Sequence, residues 1–236
     1  MESSTDEEKT NTERKPYREL IGSLIYLANA TRPDLAFAAS ALSRFCTNPE
    51  EAHWKLAKRV LRYLQRTIDY GITYTKDCEK MRAYVDSDWA GDVEDRRSCS
   101  GNVIILANGP ISWELKKQKS VALSTMEAEY VALSEVCKEI VYLRCLLKHI
   151  AHFEYCVTNA TEVHCDNQSA IELNKNHAFH RRSKHIDIRY HYSREIRDRS
   201  EINIKYLPTD KMIADILTKS LTKAKHEKCI KMLSLK

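Results

Sequence analysis

The chain has 236 residues, enough for one large domain or a small one with an appended module, so a core can form without disulfide or metal staples. Apolar residues make up 43% and charged residues 30%, with only five Gly and five Pro, which excludes collagenous, low-complexity and broadly disordered chains. No apolar run is longer than Val103 to Ala107, against the roughly 18 residues a membrane span needs, and the first ten residues are acidic rather than signal-like, so neither membrane association nor an address is expected.

Net charge is +5, but residues 1–14 contribute −3, which leaves +8 for the rest and favours a polyanionic partner. That first stretch is polar and aperiodic, and is expected to be a flexible acidic tail. The eight Cys are scattered without a C-x-x-C pair and several sit in apolar runs, as buried thiols of a reducing, intracellular compartment would.

From Pro16 the pattern turns helical: Tyr17, Leu20, Ile21, Leu24, Leu27 and Ala28 share a stripe. Thr31-Arg-Pro-Asp34 gives a stop and a fresh start, with Leu35, Ala38, Ala39, Leu42 and Phe45 on the next stripe. Pro49-Glu50 opens a third helix whose expected buried face is Trp54, Ala57, Leu61 and Leu64. Lys55, Arg59, Arg62 and Arg66 gather on its opposite side, either as a solvated face or as a stripe that tracks a phosphate backbone. Residues 15–77 therefore read as a small helical module, with a change of character between 69 and 78.

Strands follow. Arg82 to Asp86 alternates with period two, Cys99 to Leu106 is a second strand, and Ile111 to Glu114 a third after the Asn108-Gly-Pro110 turn, which together predict an antiparallel meander. Ser124 to about Ile150 is a long helix, Glu162 to Asp166 a fourth strand, Gln168 to Lys175 a short helix, and His185 to Arg199 another. Ile202 to Leu207 is a fifth strand, and Pro208-Thr209 introduces a closing helix through Leu221. The order implies an α/β unit over 78–221, a mixed five-stranded sheet with helices on its faces, followed by a basic tail over 222–236.

Acids stand at the ends of these elements. Asp86 and Asp88 share one face of the first strand, and Asp166 ends the fourth; parallel neighbours would bring Asp86 and Asp166 together, at the strand ends where open α/β sheets place their sites. Glu127 and Glu129 lie in the first turns of the long helix and Asp215 near the start of the last. Each has a structural use: Ser124-Thr-Met-Glu127 fits a capping box, and Asp215 could complement a helix dipole. If they converge, however, four like charges require cations among them, and oxygen ligands indicate Mg²⁺ or Mn²⁺, as two ions for phosphodiester hydrolysis. Geometry alone does not choose between Asp86 and Asp88, or between Glu127 and Glu129.

Several motifs resemble the ribonuclease H domain of Ty1/copia-type retrotransposon Pol polyproteins: Tyr84-Val-Asp86-Ser-Asp-Trp-Ala-Gly-Asp92, Asp95-Arg-Arg-Ser-Cys-Ser-Gly101, Pro110-Ile-Ser-Trp113 with Lys117-Gln-Lys119, Ala122-Leu-Ser-Thr-Met-Glu127-Ala-Glu-Tyr130, Cys165-Asp-Asn-Gln-Ser-Ala170, Lys184-His-Ile-Asp-Ile-Arg-Tyr-His191 and Ala214-Asp-Ile-Leu-Thr-Lys219. Tyr17-Arg-Glu-Leu-Ile-Gly22 and Thr31-Arg-Pro-Asp34 resemble the connection that precedes this domain at the end of the reverse transcriptase. The resemblance implies a ribonuclease H-like fold and a catalytic, metal-holding quartet of Asp86, Glu127, Asp166 and Asp215. It also implies an RNA–DNA hybrid as substrate, and the polymerase region of the same polyprotein as partner. No small-molecule cofactor and no membrane are implied; cytoplasm, virus-like particle or nucleus are the family's compartments.

Two departures accompany it. No Tyr-x-Asp-Asp polymerase motif occurs, so the chain reads as the carboxy-terminal part of a longer polyprotein or a truncated copy, and a nucleic-acid-binding remnant without turnover is the alternative function. The loop Leu207-Pro-Thr-Asp210-Lys-Met lacks the His that related nucleases place before the last acid, for which His185 is a conceivable substitute. Substrate contacts are expected from Asn167 and Gln168 at the minor groove, and from Arg96, Arg97, Arg181, Arg182, Lys184 and His185 on phosphates.

Overall fold

Tyr17, Ile21, Leu24 and Ala28 recur at helical spacing, and in the computed structural model they form the buried face of α1, Tyr17–Ala30. The structure describes residues 15–76, 80–92, 94–150, 152–175 and 187–236. They fall into two units, one running through Ile72 with Lys236, the other from Thr73 to Leu235. The division precedes the expected 77 because Thr73 N donates to Ser234 O at 3.0 Å and Thr75 N to Ala107 O at 2.9 Å, which ties these β-rich residues to the second unit.

In the helical unit, a 3-10 turn at Pro33–Leu35 leads into α2, Ala36–Ser43, and α3 spans Glu51–Arg66. The Tyr17 hydroxyl donates to Leu42 O at 2.9 Å and pins α1 to the end of α2. Glu50 caps α3, and His53 returns the bond by accepting from Glu50 N at 3.0 Å. The expected inner face needs one correction: Leu61 is 42% exposed. The inward stripe runs through Ala57, Val60 and Leu64, which rotates Leu61 to its edge. Lys55, Arg59, Arg62 and Arg66 are all exposed, as expected.

Thr31-Arg-Pro-Asp34 does more than stop one helix and start the next. Arg32 and Asp34 are buried and paired through two bonds, Nε to Oδ1 at 2.9 Å and Nη2 to Oδ2 at 2.7 Å. The guanidinium also donates to Thr67 O at 3.0 Å and Thr67 Oγ1 at 2.8 Å, and the Tyr63 hydroxyl donates to Asp34 Oδ2 at 2.7 Å. Each nitrogen of the guanidinium and each oxygen of the carboxylate therefore has a partner, the condition under which such a buried pair is tolerated.

The second unit holds β1 Arg82–Asp88, β2 Cys99–Leu106, β3 Gly109–Lys117, α4 Thr125–Lys148, β4 Thr161–Cys165, α5 Gln168–Lys175, α6 Asp187–Asp198, β5 Ile202–Tyr206, α7 Asp215–Thr218 and α8 Lys223–Met232. The strands form one sheet in the order β3-β2-β1-β4-β5, antiparallel across β3, β2 and β1 and parallel across β1, β4 and β5. This is the expected ribonuclease H-like architecture. Leu133, Val136 and Ile140 of α4 pack in the core with Ala83, Val85, Ile104, Val163 and Ile204 of the sheet. A buried polar knot joins three helices: Tyr130 Oη and Ser193 Oγ lie 2.6 Å apart, and Asn174 Nδ2 donates to Tyr130 at 3.2 Å and to Ser193 at 3.0 Å.

Two expectations fail near the C-terminus. The closing helix is a single turn, because Met212 leaves a 3-10 turn at Thr209–Lys211 in extended geometry before α7 begins. Residues 222–236 are not a tail: α8 buries Cys229 and Ile230, and Leu233 and Leu235 are buried after it. Four apolar side chains among lysines suffice for this anchoring, and the basic composition hides them. The described cysteines are free thiols, and no helix among the described residues is long and apolar enough to cross a membrane.

Candidate functional site

The parallel register of β1 and β4 pairs Tyr84 with His164, which sets Asp86 level with Asp166, the first residue beyond β4. Asp86 is completely buried. Its antiparallel partner on the other side is Gly101, and there the absence of a side chain matters. A Cβ at Gly101 would lie 2.5 Å from Thr218 Cγ2 and 3.2 Å from Leu217 Cβ, so glycine lets α7 settle on the sheet directly over Asp86. Gly101→Ala is accordingly expected to push α7 outward, costing about 1–3 kcal/mol of overpacking, to be read as a lower midpoint in urea unfolding.

Seating α7 there delivers a run of polar groups to Asp86. The Thr218 hydroxyl donates to Asp86 Oδ2, and Lys219 Nζ donates to Asp86 Oδ1 at 2.8 Å and to Asp215 Oδ1 at 3.0 Å. Asp215 is completely buried and also takes the Lys225 ammonium on Oδ2. Asp166, half-buried, accepts from the Thr209 hydroxyl at 2.6 Å. Asp86, Asp166 and Asp215 are thus brought to one end of the sheet.

Glu127 is not brought there. Its carboxylate accepts from Leu123 N at 2.9 Å while its own N–H donates to the Ser124 cap at 3.2 Å, so it serves the helix start. Two residues on, about 200° around the helix, Glu129 faces the acids. Glu129 Oε1 accepts from Ser87 N, next to Asp86, at 2.9 Å, and atoms of Glu129, Cys165 and Asp166 lie within 4.8 Å of one another. Glu129 is therefore the fourth acid of the cluster in place of Glu127. The signal was in the pattern: Glu129, Leu133, Val136 and Ile140 form one stripe, so an acid heads a row of core positions.

The electrostatics agree with this placement. Burial, and then the neighbouring Asp86 and Asp166, hold the Glu129 carboxyl well above the usual range. Burial, with Asp215 adding to it, pushes Asp86 up to about 6 even though Lys219 and Thr218 oppose the shift. Among the described residues, two ammonium groups face these four acids, which leaves a deficit of positive charge. Oxygen donors with that deficit fit a hard divalent cation held by Asp86, Glu129 and Asp166. The Cys165 thiol, pushed up by burial and then by Glu129, stays protonated and is a poor ligand.

The expected substrate contacts separate into groups. Asn167 Oδ1 accepts from Ala170 N at 3.0 Å, so that side chain caps α5, whereas Gln168 is exposed. Arg96 and Arg97 are exposed on the loop after β1, with Arg97 Nε 3.6 Å from Asp95. Arg181, Arg182, Lys184 and His185 lie outside the described residues.

No protein-family model matches the chain. It is 40% identical over 234 residues to the retrovirus-related Pol polyprotein from transposon TNT 1-94 of Nicotiana tabacum, covering 98% of this chain and 17% of that protein. Against the polyprotein from transposon RE2 of Arabidopsis thaliana it is 39% identical over 208 residues, covering 88% of this chain and 14% of the relative. The secreted RxLR effector protein 161 of Plasmopara viticola is 51% identical over 129 residues, 54% of this chain and 91% of that protein. Among solved structures, an RNase H1 isolated from compost aligns at a TM-score of 0.45 and 16% identity over 59% of this chain and 93% of its own. The chain therefore spans about a sixth of the polyproteins it matches. With the acid-ended strands and the Ala214-to-Lys219 turn in place, and identity near 40% sustained from end to end, the chain belongs to the retrovirus-related Pol polyproteins of transposons.

Proposed function

We propose that the sheet unit is a metal-dependent endonuclease of ribonuclease H type that cuts the RNA strand of an RNA–DNA hybrid and leaves a 3′ hydroxyl. The observation that carries this reading is the convergence of Asp86, Glu129, Asp166 and Asp215 from four separate elements onto one sheet end. Glu129 replaces Glu127 in the quartet that the sequence motifs implied.

Asp86, Glu129 and Asp166 would hold Mg²⁺ or Mn²⁺, and Asp215 would supply a ligand for the second ion this chemistry uses. When bound, such ions lower the pKa of a water and stabilise the departing oxygen of a phosphodiester. The chain itself supplies positioning. Ser87 N–H fixes the Glu129 carboxylate, the Thr209 hydroxyl fixes Asp166, and Thr218 with Lys219 fixes Asp86. The raised pKa values of Asp86 and Glu129 mean that protons occupy these carboxyls more readily than ordinary ones, so a cation held there would compete with protons. Gln168 would reach the hybrid beside Asp166, and Arg96 and Arg97 would meet its phosphates. We place the activity inside the cell, beside the polymerase region of the same polyprotein.

The full chain with Mg²⁺ is expected to cleave the RNA of a labelled hybrid, to spare single-stranded RNA and duplex DNA, and to stop on addition of a chelator. Binding of the hybrid without cleavage would make the protein a remnant that keeps the fold and not the turnover.

A further inference from the structure

We propose that Lys219 is a built-in competitor for the divalent cation: its ammonium bridges Asp86 and Asp215, and cation binding displaces it. The inference rests on the reading that the acid cluster holds such a cation, and adds what the cation must remove.

Both bonds of Lys219 run to the cluster, at 2.8 Å to Asp86 Oδ1 and 3.0 Å to Asp215 Oδ1. Each carboxylate is fully buried, whereas the Lys219 side chain keeps 32% of its exposure. Its backbone lies just past α7 in extended geometry, φ −129° and ψ 151°, so the residue itself is outside the helix. The ammonium can therefore rotate into water without α7 leaving the sheet. Lys225 differs: besides Asp215 Oδ2 it donates to Thr209 O at 2.9 Å, an anchor that does not depend on the acids. Thr218 likewise keeps Asp86 Oδ2 bonded whatever occupies Oδ1. Of the described cationic groups at the cluster, Lys219 is the one whose bonds all run to carboxylates of the quartet, Asp86 among them a ligand the cation would take over. A cation and an ammonium sharing Asp86 Oδ1 would repel each other at contact distance, so occupation by one favours departure of the other.

In the metal-free protein Lys219 would keep Asp86 and Asp215 together, and affinity for the metal would be lower than the carboxylates alone allow. The test uses the full chain, wild type and Lys219→Met, with Mn²⁺ binding followed by calorimetry and thermal unfolding followed in chelator. The variant is expected to bind Mn²⁺ about 5-fold or more tightly than wild type and to melt earlier in chelator. A folded variant that binds Mn²⁺ with equal or lower affinity overturns the proposal while leaving the nuclease reading intact. Mn²⁺ bound by neither protein overturns both. Labelling of wild type with an amine-acetylating reagent covers a variant that fails to fold: modification of Lys219 should rise severalfold when Mn²⁺ is added, and unchanged modification in protein that binds Mn²⁺ refutes displacement.

Discussion

Glu129→Gln is expected to lower hybrid cleavage by about 10²–10³-fold, the scale of losing one electrostatic contact to the reacting charges, while Glu127→Gln stays close to the parental rate. The contrast follows from what each carboxylate touches. Gln at 129 can still accept from Ser87 N but cannot hold a cation beside Asp86 and Asp166, so the fold should persist and the cluster should lose a ligand charge. Gln at 127 can still accept from Leu123 N, and the lost charge at the helix start is worth about 0.3–1 kcal/mol. Initial rates at saturating Mg²⁺, beside melting temperatures of both variants, separate the two residues. Equal loss in both would return Glu127 to the centre.

Asp34→Ala is expected to destabilise the helical unit by about 3–5 kcal/mol, because it strands a buried guanidinium without its carboxylate. Arg32 would keep the Thr67 carbonyl and hydroxyl, which satisfy hydrogen bonds and not charge, and Tyr63 would lose its acceptor. Replacing both partners by apolar residues, Arg32→Met with Asp34→Leu, should cost less than the single change, since no charge is then left buried. Urea unfolding of Arg32→Met, Asp34→Leu and their combination measures the difference; an additive outcome would mean that the pair is not coupled.

How far the fold is legible in the sequence depends on the range of the interaction. Period-two alternation places β1, and Ser124 before an apolar stripe places the start of α4, because these signals are local. The level of Asp86 with Asp166 followed from requiring β1 and β4 to be parallel. Arg32 and Asp34 were legible only as a helix break, since Thr67 and Tyr63 complete their environment from far along the chain. Glu127 drew attention through motif likeness, yet its sequence context is also a capping signature, and the cap is the use it has. Glu129 stood on the core stripe, a position where an uncompensated acid would be costly. The helix over Lys223–Met232 was masked by its own lysines.

The position of Asp215 has a temporal consequence. Asp86, Glu129 and Asp166 emerge from the ribosome well before it, and the turn that carries Asp215 must dock over Gly101 before the quartet is complete. On the proposed nuclease reading a partly synthesised chain is inert, and RNA cleavage would begin only with the arrival of a late segment at a surface already waiting for it.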